Sequence, residues 1–455
     1  MIGEKQERLG KASIGRLLVE FALPSIIAMT AVSLYNVVDS IFIGRIIGPV
    51  ALAGLTVTFP FMNLSAAFGA MVGVGAGSLI AVKIGQRDVA TAEHTLGNVV
   101  LLNVLIGTVF ASVSLVFLDP VLRFFGASDA SLPFAHDYMQ VLLLGNVLTH
   151  LYLGLNDVVR SSGYPGRAMA ATLTAVSVNV LLDYVFISVL GLGIRGAAMA
   201  TLLAQLVALC VVVSHLCSPR SFLRFKRGIF GWRPHIVKSI IGVGLSPFFT
   251  NACACLVVLL INNSLSEYGG DKYIGAFGIV NRVSFIFVMV AQGICQGMQP
   301  IAGFNYGAGD YGRVLRVYKF AVIGGMSVMT VGFLIAELCP GAVSALFTSD
   351  DELTAVTDHA LRIALAAFEI VGFQIISVGL MMAMRKAGQA IIMSLSRQLL
   401  CLAPLIVVLP RFLGVDGVWY AMLLSDIFAT LVAVVVSIRQ VRMLRRMQGG
   451  VSARA

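Results

Sequence analysis

The chain has 455 residues, of which 58% are hydrophobic and 12% charged, with mean hydropathy +0.93 and a formal net charge of +10. A soluble domain is about a quarter charged, so soluble enzymes and soluble nucleic-acid-binding modules are excluded. The basic residues lie in short loops between apolar runs rather than in one patch or stripe, which argues against a nucleic-acid partner. The composition is that of an all-α polytopic membrane protein.

Taken in chain order, the apolar runs between turn signals predict twelve membrane-spanning helices, each longer than the roughly 20 residues needed to cross a bilayer. The N-terminal MIGEKQERLGKASIGR lacks a small-residue cleavage site, so the first span, 17–44, is expected to stay as an anchor. Spans follow at 51–82, 95–118, 134–158, 167–190 and 194–216. The basic stretch CSPRSFLRFKRGIFGWRPHIVK, Cys217–Lys238, then falls halfway along the chain. Six more spans are expected at 237–265, 273–304, 316–338, 356–383, 388–410 and 415–438. The expected division is an N-terminal lobe 1–216, a cytoplasmic linker 217–236, a C-terminal lobe 237–440 and a cytoplasmic tail 441–455.

Most of the 32 Lys and Arg residues fall on one side of this arrangement, Arg385, Lys386 and Arg397 among them. The positive-inside rule then places both termini in the cytoplasm, and the expected location is the cytoplasmic (inner) membrane.

The two halves repeat. KIGQRD (Lys83–Asp88) resembles NYGAGD (Asn305–Asp310), and FFGASD (Phe124–Asp129) resembles LFTSDD (Leu346–Asp351), both at an offset of 222. Gly166 and Gly388 keep that offset, Pro24 and Pro247 differ by 223, and GLGIRG (Gly191–Gly196) matches FLGVDG (Phe412–Gly417) at 221. A tandem duplication of a six-helix unit follows. Six is even, so both copies insert the same way round, related by an axis along the membrane normal, with substrate expected between them.

Five acidic residues fall at membrane depth: Asp39, Asp183, Glu337, Glu369 and Asp426. A charge there costs about 2.5–3.5 kcal/mol and needs a partner, a wet cavity or a proton. Asp39, in LYNVVDSIFIG, is six residues short of Arg45, or about 9 Å below the outer boundary. Asp183 is seven residues before Leu190, Asn179 lies one turn earlier on the same face, and Thr201 is six residues past Arg195. Three helices thus bring Asp39, Asn179, Asp183 and Thr201 to one level, and Tyr35 and Asn36 extend the face.

The repeat supplies a control. The counterpart of Asp39 is Asn262, and that of Asp183 is Pro404 or Leu405, so the second half builds the same scaffold without these acids. They are therefore read as a proton or cation site rather than as helix-packing groups. Two carboxylates in one low-dielectric bundle cannot both ionise cheaply, so one is expected to hold a proton near neutral pH. Sodium is the other candidate, since carboxylate, amide and hydroxyl oxygens are hard ligands.

Glu369 and Asp426 are weaker candidates, Glu337 is expected at an outer end, and His150 reads as a hydrogen-bonded structural histidine. GVGAG (Gly73–Gly77) sits inside a span with no preceding strand, so close helix packing explains it better than a nucleotide loop. Pro24 serves as a bend or hinge in the first span. The seven cysteines lack metal-binding spacing and are expected as buried thiols. No nucleophile paired with a base is visible, so no enzyme, cofactor or resident metal is expected.

Three stretches carry a family likeness: PSIIAMTAVSLYNVVDSIFIGRIIG (Pro24–Gly48), QGMQPIAGFNYGAGDYGRV ending at Val314, and NVLLDYVFISVLGLGIRGAAMAT (Asn179–Thr201). Together they resemble the multidrug and toxic compound extrusion family, in the branch similar to DinF and MepA. The resemblance implies a V-shaped pair of six-helix lobes, expected as a monomer, that exports organic cations and amphipathic drugs in exchange for protons or sodium. It also implies a first-lobe cation site, matched here by Asp39, Asn179, Asp183 and Thr201, and a bent first helix, matched by Pro24. A NorM-like second-lobe site would need an acid in mid-span 7, and LSPFFTNACACLVVLLINNSLS has none. A flippase for lipid-linked oligosaccharides remains the alternative. It would want a cationic cavity for pyrophosphate, whereas the charges at membrane depth are mainly acidic.

Overall fold

The computed structural model describes residues 4–347 and 350–452; Thr348 and Ser349 of LFTSDD, and the ends of both termini, lie outside them. The described residues form helices and turns, with no strand among them. Ten helices are long and apolar enough to span a membrane: α1 (Ile14–Ile47), α2 (Pro49–Gly85), α3 (Val89–Val116), α5 (Pro165–Val189), α6 (Gly193–Cys217), α7 (Pro234–Tyr268), α8 (Lys272–Gly307), α9 (Tyr311–Leu338), α11 (Ala387–Leu413) and α12 (Asp416–Gly449). Two further spans are broken pairs, α4a (Leu132–Leu144) with α4b (Asn146–Ser161) bent by 58°, and α10a (Asp351–Ala364) with α10b (Phe368–Ala383) bent by 53°. That makes twelve, in the expected places.

The breaks correct the expectation of continuous fourth and tenth spans. At the first, Gly145 ends α4a and Asn146 opens α4b, its amide donating to the Gly107 carbonyl (3.2 Å) and accepting from the Ser65 hydroxyl (2.6 Å). His150, one turn on, donates from Nε2 to the Ser65 carbonyl at 2.9 Å, in keeping with its structural reading. These bonds give partners to the buried Asn146 and His150 side chains beside the break. The second break, Leu365–Ala367, has neither glycine nor proline to announce it, but it lies 222 residues after Gly145.

The KIGQRD and NYGAGD motifs are one turn used twice. Asp88 caps α3 by accepting from the Thr91 amide (3.1 Å), and Asp310 caps α9 through the Arg313 amide (3.0 Å). The preceding residue has positive φ in both copies, 61° at Arg87 and 79° at Gly309.

The chain divides into two compact units that do not follow its halves residue for residue. Ile27–Phe248 and the N-terminal turn through Leu9 form one; Gly10–Ile26 and the chain from Phe249 form the other. The helices α1 and α7 therefore each contribute a first part to one unit and a second part to the other. The crossing points, after Ile26 and after Phe248, are 222 residues apart and lie just past Pro24 and Pro247.

Glycines explain how each unit holds its exchanged half-helix. In the first unit a Cβ on Gly75 would stand 2.1 Å from the Ile240 carbonyl oxygen, and one on Gly244 would stand 2.0 Å from that of Met71, so α2 meets α7 backbone to backbone. In the second unit Gly297 of α8, the counterpart of Gly75, presses on Ala22 of α1, 2.5 Å from its nitrogen to an added Cβ. The other glycines of GVGAG do the same: Gly73 packs on Asp157 and Gly77 on Ser161. Close packing is what the motif is for. Gly75→Val is expected to cost at least about 1–3 kcal/mol by overpacking against a backbone that cannot retreat, read as a lowered melting temperature of the purified protein.

Arg282 and Arg397 sit ten residues into α8 and α11, about 15 Å from those helix ends. Arg397 therefore leaves the basic loops to which the sequence reading assigned it. It occupies a π-helical turn, Ser396–Leu402, and its Nε donates to Asp426 of α12 at 2.6 Å. The cysteines need a similar correction. Cys210, Cys217 and Cys339 are exposed, because an apolar residue in a membrane helix can face lipid as readily as the core.

Candidate cation site

Asp39, Asn179, Asp183 and Thr201 all belong to the first compact unit and all are buried, Asp183 completely and Thr201 to 6% exposure. Both acid-bearing helices change character beside their carboxylate. A π-helical turn begins at Ile43, four residues past Asp39, and another at Tyr184, immediately after Asp183. Such turns widen the helix and cluster at functional sites, since they re-aim side chains that a regular α-helix would stack.

Asn179 donates from Nδ2 to the Thr201 hydroxyl (3.3 Å), which itself donates to the Ala197 carbonyl (3.1 Å), joining α5 to α6. The Asp39 carboxylate is close enough to Asp183 for its charge to act there. The structure thus brings these four residues together.

Oxygens outnumber donors in the cluster. Both carboxylate oxygens of Asp183, one of Asp39 and the amide oxygen of Asn179 are buried and accept no hydrogen bond among the described residues. Buried polar atoms are otherwise almost always satisfied. A set of acceptors without donors fits a proton or a hard cation, with two carboxylates, an amide and a hydroxyl as ligands. Among the described residues no group of three His, Cys, Asp or Glu is placed to hold a metal.

Two tyrosines complete the setting. Tyr35, half-buried on α1, lies within electrostatic reach of both Asp39 and Asp183, as expected from its face. Tyr138 of α4a, 1% exposed, lies within reach of the same two acids and of Thr201. Sequence reasoning missed Tyr138, although the depth argument contains it: the fourth span was expected to run inward from 134, so Tyr138 is one turn in.

The remaining candidates stand elsewhere. Asn36 bonds to the Val32 carbonyl of its own helix (2.9 Å). Asn262 and Glu369 belong to the second unit, where Glu369 sits half-buried in the first turn of α10b, an end that favours a carboxylate. Glu337 is the penultimate residue of α9, the helix-end position expected for it. Asp426 carries the ion pair with Arg397.

A family model described as MatE matches the chain twice, over residues 24–185 and 247–408. The chain belongs to the MatE family. The two MatE matches are offset by 223 at both ends and begin on Pro24 and Pro247, so each covers the first five spans of one half, at nearly the offset of the repeat read from the sequence. Similar curated MatE relatives are the multidrug export protein MepA of Staphylococcus aureus strain N315, 23% identical over 94% of each chain, and MepA of Staphylococcus haemolyticus, 22% identical over 91% of each. Among solved structures, an outward-facing multidrug resistance MATE family transporter of the MOP superfamily aligns with TM-score 0.91 at 24% identity, covering 98% of this chain and 99% of that one. A MATE protein in its bent conformation gives TM-score 0.92 at 23% identity over 99% and 100%. The MatE fold therefore extends over essentially the whole length, and the protein is a multi-pass membrane transporter.

Proposed function

We propose that this chain is a secondary antiporter that exports organic cations and amphipathic drugs in exchange for protons or sodium, coupled through Asp39, Asn179, Asp183 and Thr201. The observation that carries the reading is the excess of buried, donor-free oxygens in that cluster. Relatives named for multidrug export support the substrate class, and basic cytoplasmic loops support an orientation with both termini inside.

In this reading the site takes up the coupling ion from outside, which removes the mutual repulsion of Asp39 and Asp183 and lets α1, α5 and α6 close on each other. Release inside restores the charges and reopens the helices. A tenfold gradient of the coupling ion supplies about 1.4 kcal/mol, enough for about a tenfold concentration ratio of a monovalent cation exchanged one for one, with no net charge crossing the membrane. The test is transport of a cationic dye in proteoliposomes under separately imposed proton and sodium gradients. Export that follows either gradient supports the reading, and export indifferent to both contradicts it.

Two residues refine the mechanism. Tyr138→Phe removes a hydroxyl from beside Thr201 and the two acids but no charge, so it is expected to weaken apparent affinity for the coupling ion by roughly five- to tenfold, about the net contribution of one hydrogen bond, with maximal rate retained. Pro24 precedes the point where α1 passes between compact units, which suits a hinge. Pro24→Ala restores a backbone donor there and is expected to lower the transport rate severalfold without lowering the melting temperature, read from dye efflux and thermal melts on the same preparation.

A further inference from the structure

The first unit contains a cavity of about 490 Å³ at the end of its bundle that the basic loops assign to the cytoplasm. It opens between the start of α5, the last turns of α6 and the beginning of the linker. Val159, Val211 and Val212 make one apolar wall. The rest of the lining is basic and hydroxylic: Arg167, His215, Ser218 and Arg220. Tyr164 ties these parts together. Its ring meets His215 edge-on at 4.7 Å, and its hydroxyl donates to the Arg220 carbonyl at 2.9 Å, anchoring the linker backbone beside the cavity.

The charge around this cavity is uncompensated. No carboxylate lines it, and neither Arg167 nor Arg220 has an ion-pair partner among the described residues. Neighbouring cations are treated differently: Arg160 pairs with Asp157 at 2.7 Å and Lys226 with Glu93 at 2.5 Å. The first turn of α5, which holds Arg167, also lacks any acidic residue. An anion is the ligand that two unpaired guanidiniums select, because their planar donor forks match phosphate oxygens.

We propose that this cavity binds a phosphate group, and that its source is an anionic phospholipid of the cytoplasmic leaflet. The arginines hold the phosphate, and the valine wall receives the glycerol and first methylenes, which a free phosphate has no use for. Basic pockets between helices on that side of a membrane protein are suited to such headgroups.

The test uses the full chain, delipidated in detergent, with lipid binding followed by native mass spectrometry and thermal melts. Phosphatidylglycerol is the probe, phosphatidylcholine the zwitterionic comparison and inorganic phosphate the soluble one. Phosphatidylglycerol is expected to bind and stabilise most. Arg167→Ala/Arg220→Ala is expected to weaken that binding about 25-fold, roughly fivefold for each surface arginine. Arg442→Ala/Arg445→Ala, which removes two exposed cations from the end of α12, is the matched control and is expected to leave it unchanged. If the first double variant does not purify, Arg220→Gln alone should show the fivefold loss. Inorganic phosphate stabilising as well as the lipid would overturn the lipid source. No loss in the cavity variants, or an equal loss in the control, would overturn the site itself.

Discussion

Asp426→Leu is expected to destabilise the protein by about 3 kcal/mol, the lower end of the cost of leaving one member of a buried ion pair without its partner. Asp426 is 4% exposed and takes the Arg397 Nε at 2.6 Å, while the Arg397 side chain keeps 30% exposure and so recovers part of the loss. The double variant Arg397→Met/Asp426→Leu should regain most of that stability, because two apolar side chains then fill the space with no charge to neutralise. Thermal melts of the three variants form a cycle whose coupling term measures the pair. Effects of Asp426→Leu and Arg397→Met that simply add in the double variant would show that the pair contributes nothing.

Asp183→Asn is expected to behave oppositely. Both oxygens of Asp183 are buried and bonded to nothing among the described residues, so the carboxylate is a cost to the fold rather than a support. Its replacement by the near-isosteric amide should leave the stability unchanged or raise it, by at most the roughly 2.5–3.5 kcal/mol charged to an acid at membrane depth. Gradient-driven export should nonetheless fall to background, since the amide takes up no proton and binds a cation weakly. Stability kept while function is lost is the signature of a group retained for work at the expense of the fold. A fall in melting temperature comparable to that of Asp426→Leu would instead make Asp183 a packing residue. Dye efflux and thermal melts on one preparation separate the two.

The contrast between Asp183 and Asp426 marks how far the sequence could be read. Helix count, the internal repeat and the membrane depth of each acid are one-dimensional quantities. A run of twenty apolar residues, an offset of 222 and a rise of 1.5 Å per residue suffice for them, which is why the sequence alone puts Asp39, Asn179, Asp183 and Thr201 at one level. Which neighbour a residue meets across a helix is not one-dimensional. The pairing of Arg397 with Asp426 escaped notice because both lie in apolar runs and their contact joins helices whose rotation about their axes no pattern specifies. Tyr138 escaped because an aromatic in a span looks like core until its hydroxyl is given a partner.

The broken spans and the exchanged half-helices were hidden for a related reason. Gly145 is one glycine among the 46 in the chain, and Leu365–Ala367 has no breaker at all, so local propensity does not announce these bends. Pro24 was visible as a bend and Pro247 as its repeat, but only packing reveals that α1 and α7 change units just beyond them. The motif KIGQRD announced a turn, and its repetition as NYGAGD announced a duplication. Neither disclosed that Arg87 adopts the left-handed conformation that Gly309 adopts in the second copy.

The measurement that most directly tests the coupling site is concentrative dye transport in proteoliposomes by the wild-type chain and by Asp39→Asn/Asp183→Asn, with gradient-independent dye exchange recorded in the same vesicles. The wild type should build a dye gradient when a proton or sodium gradient is imposed. The double variant should still exchange dye across the membrane and build no gradient at all. A double variant that concentrates dye as steeply as the wild type would contradict coupling through these two acids.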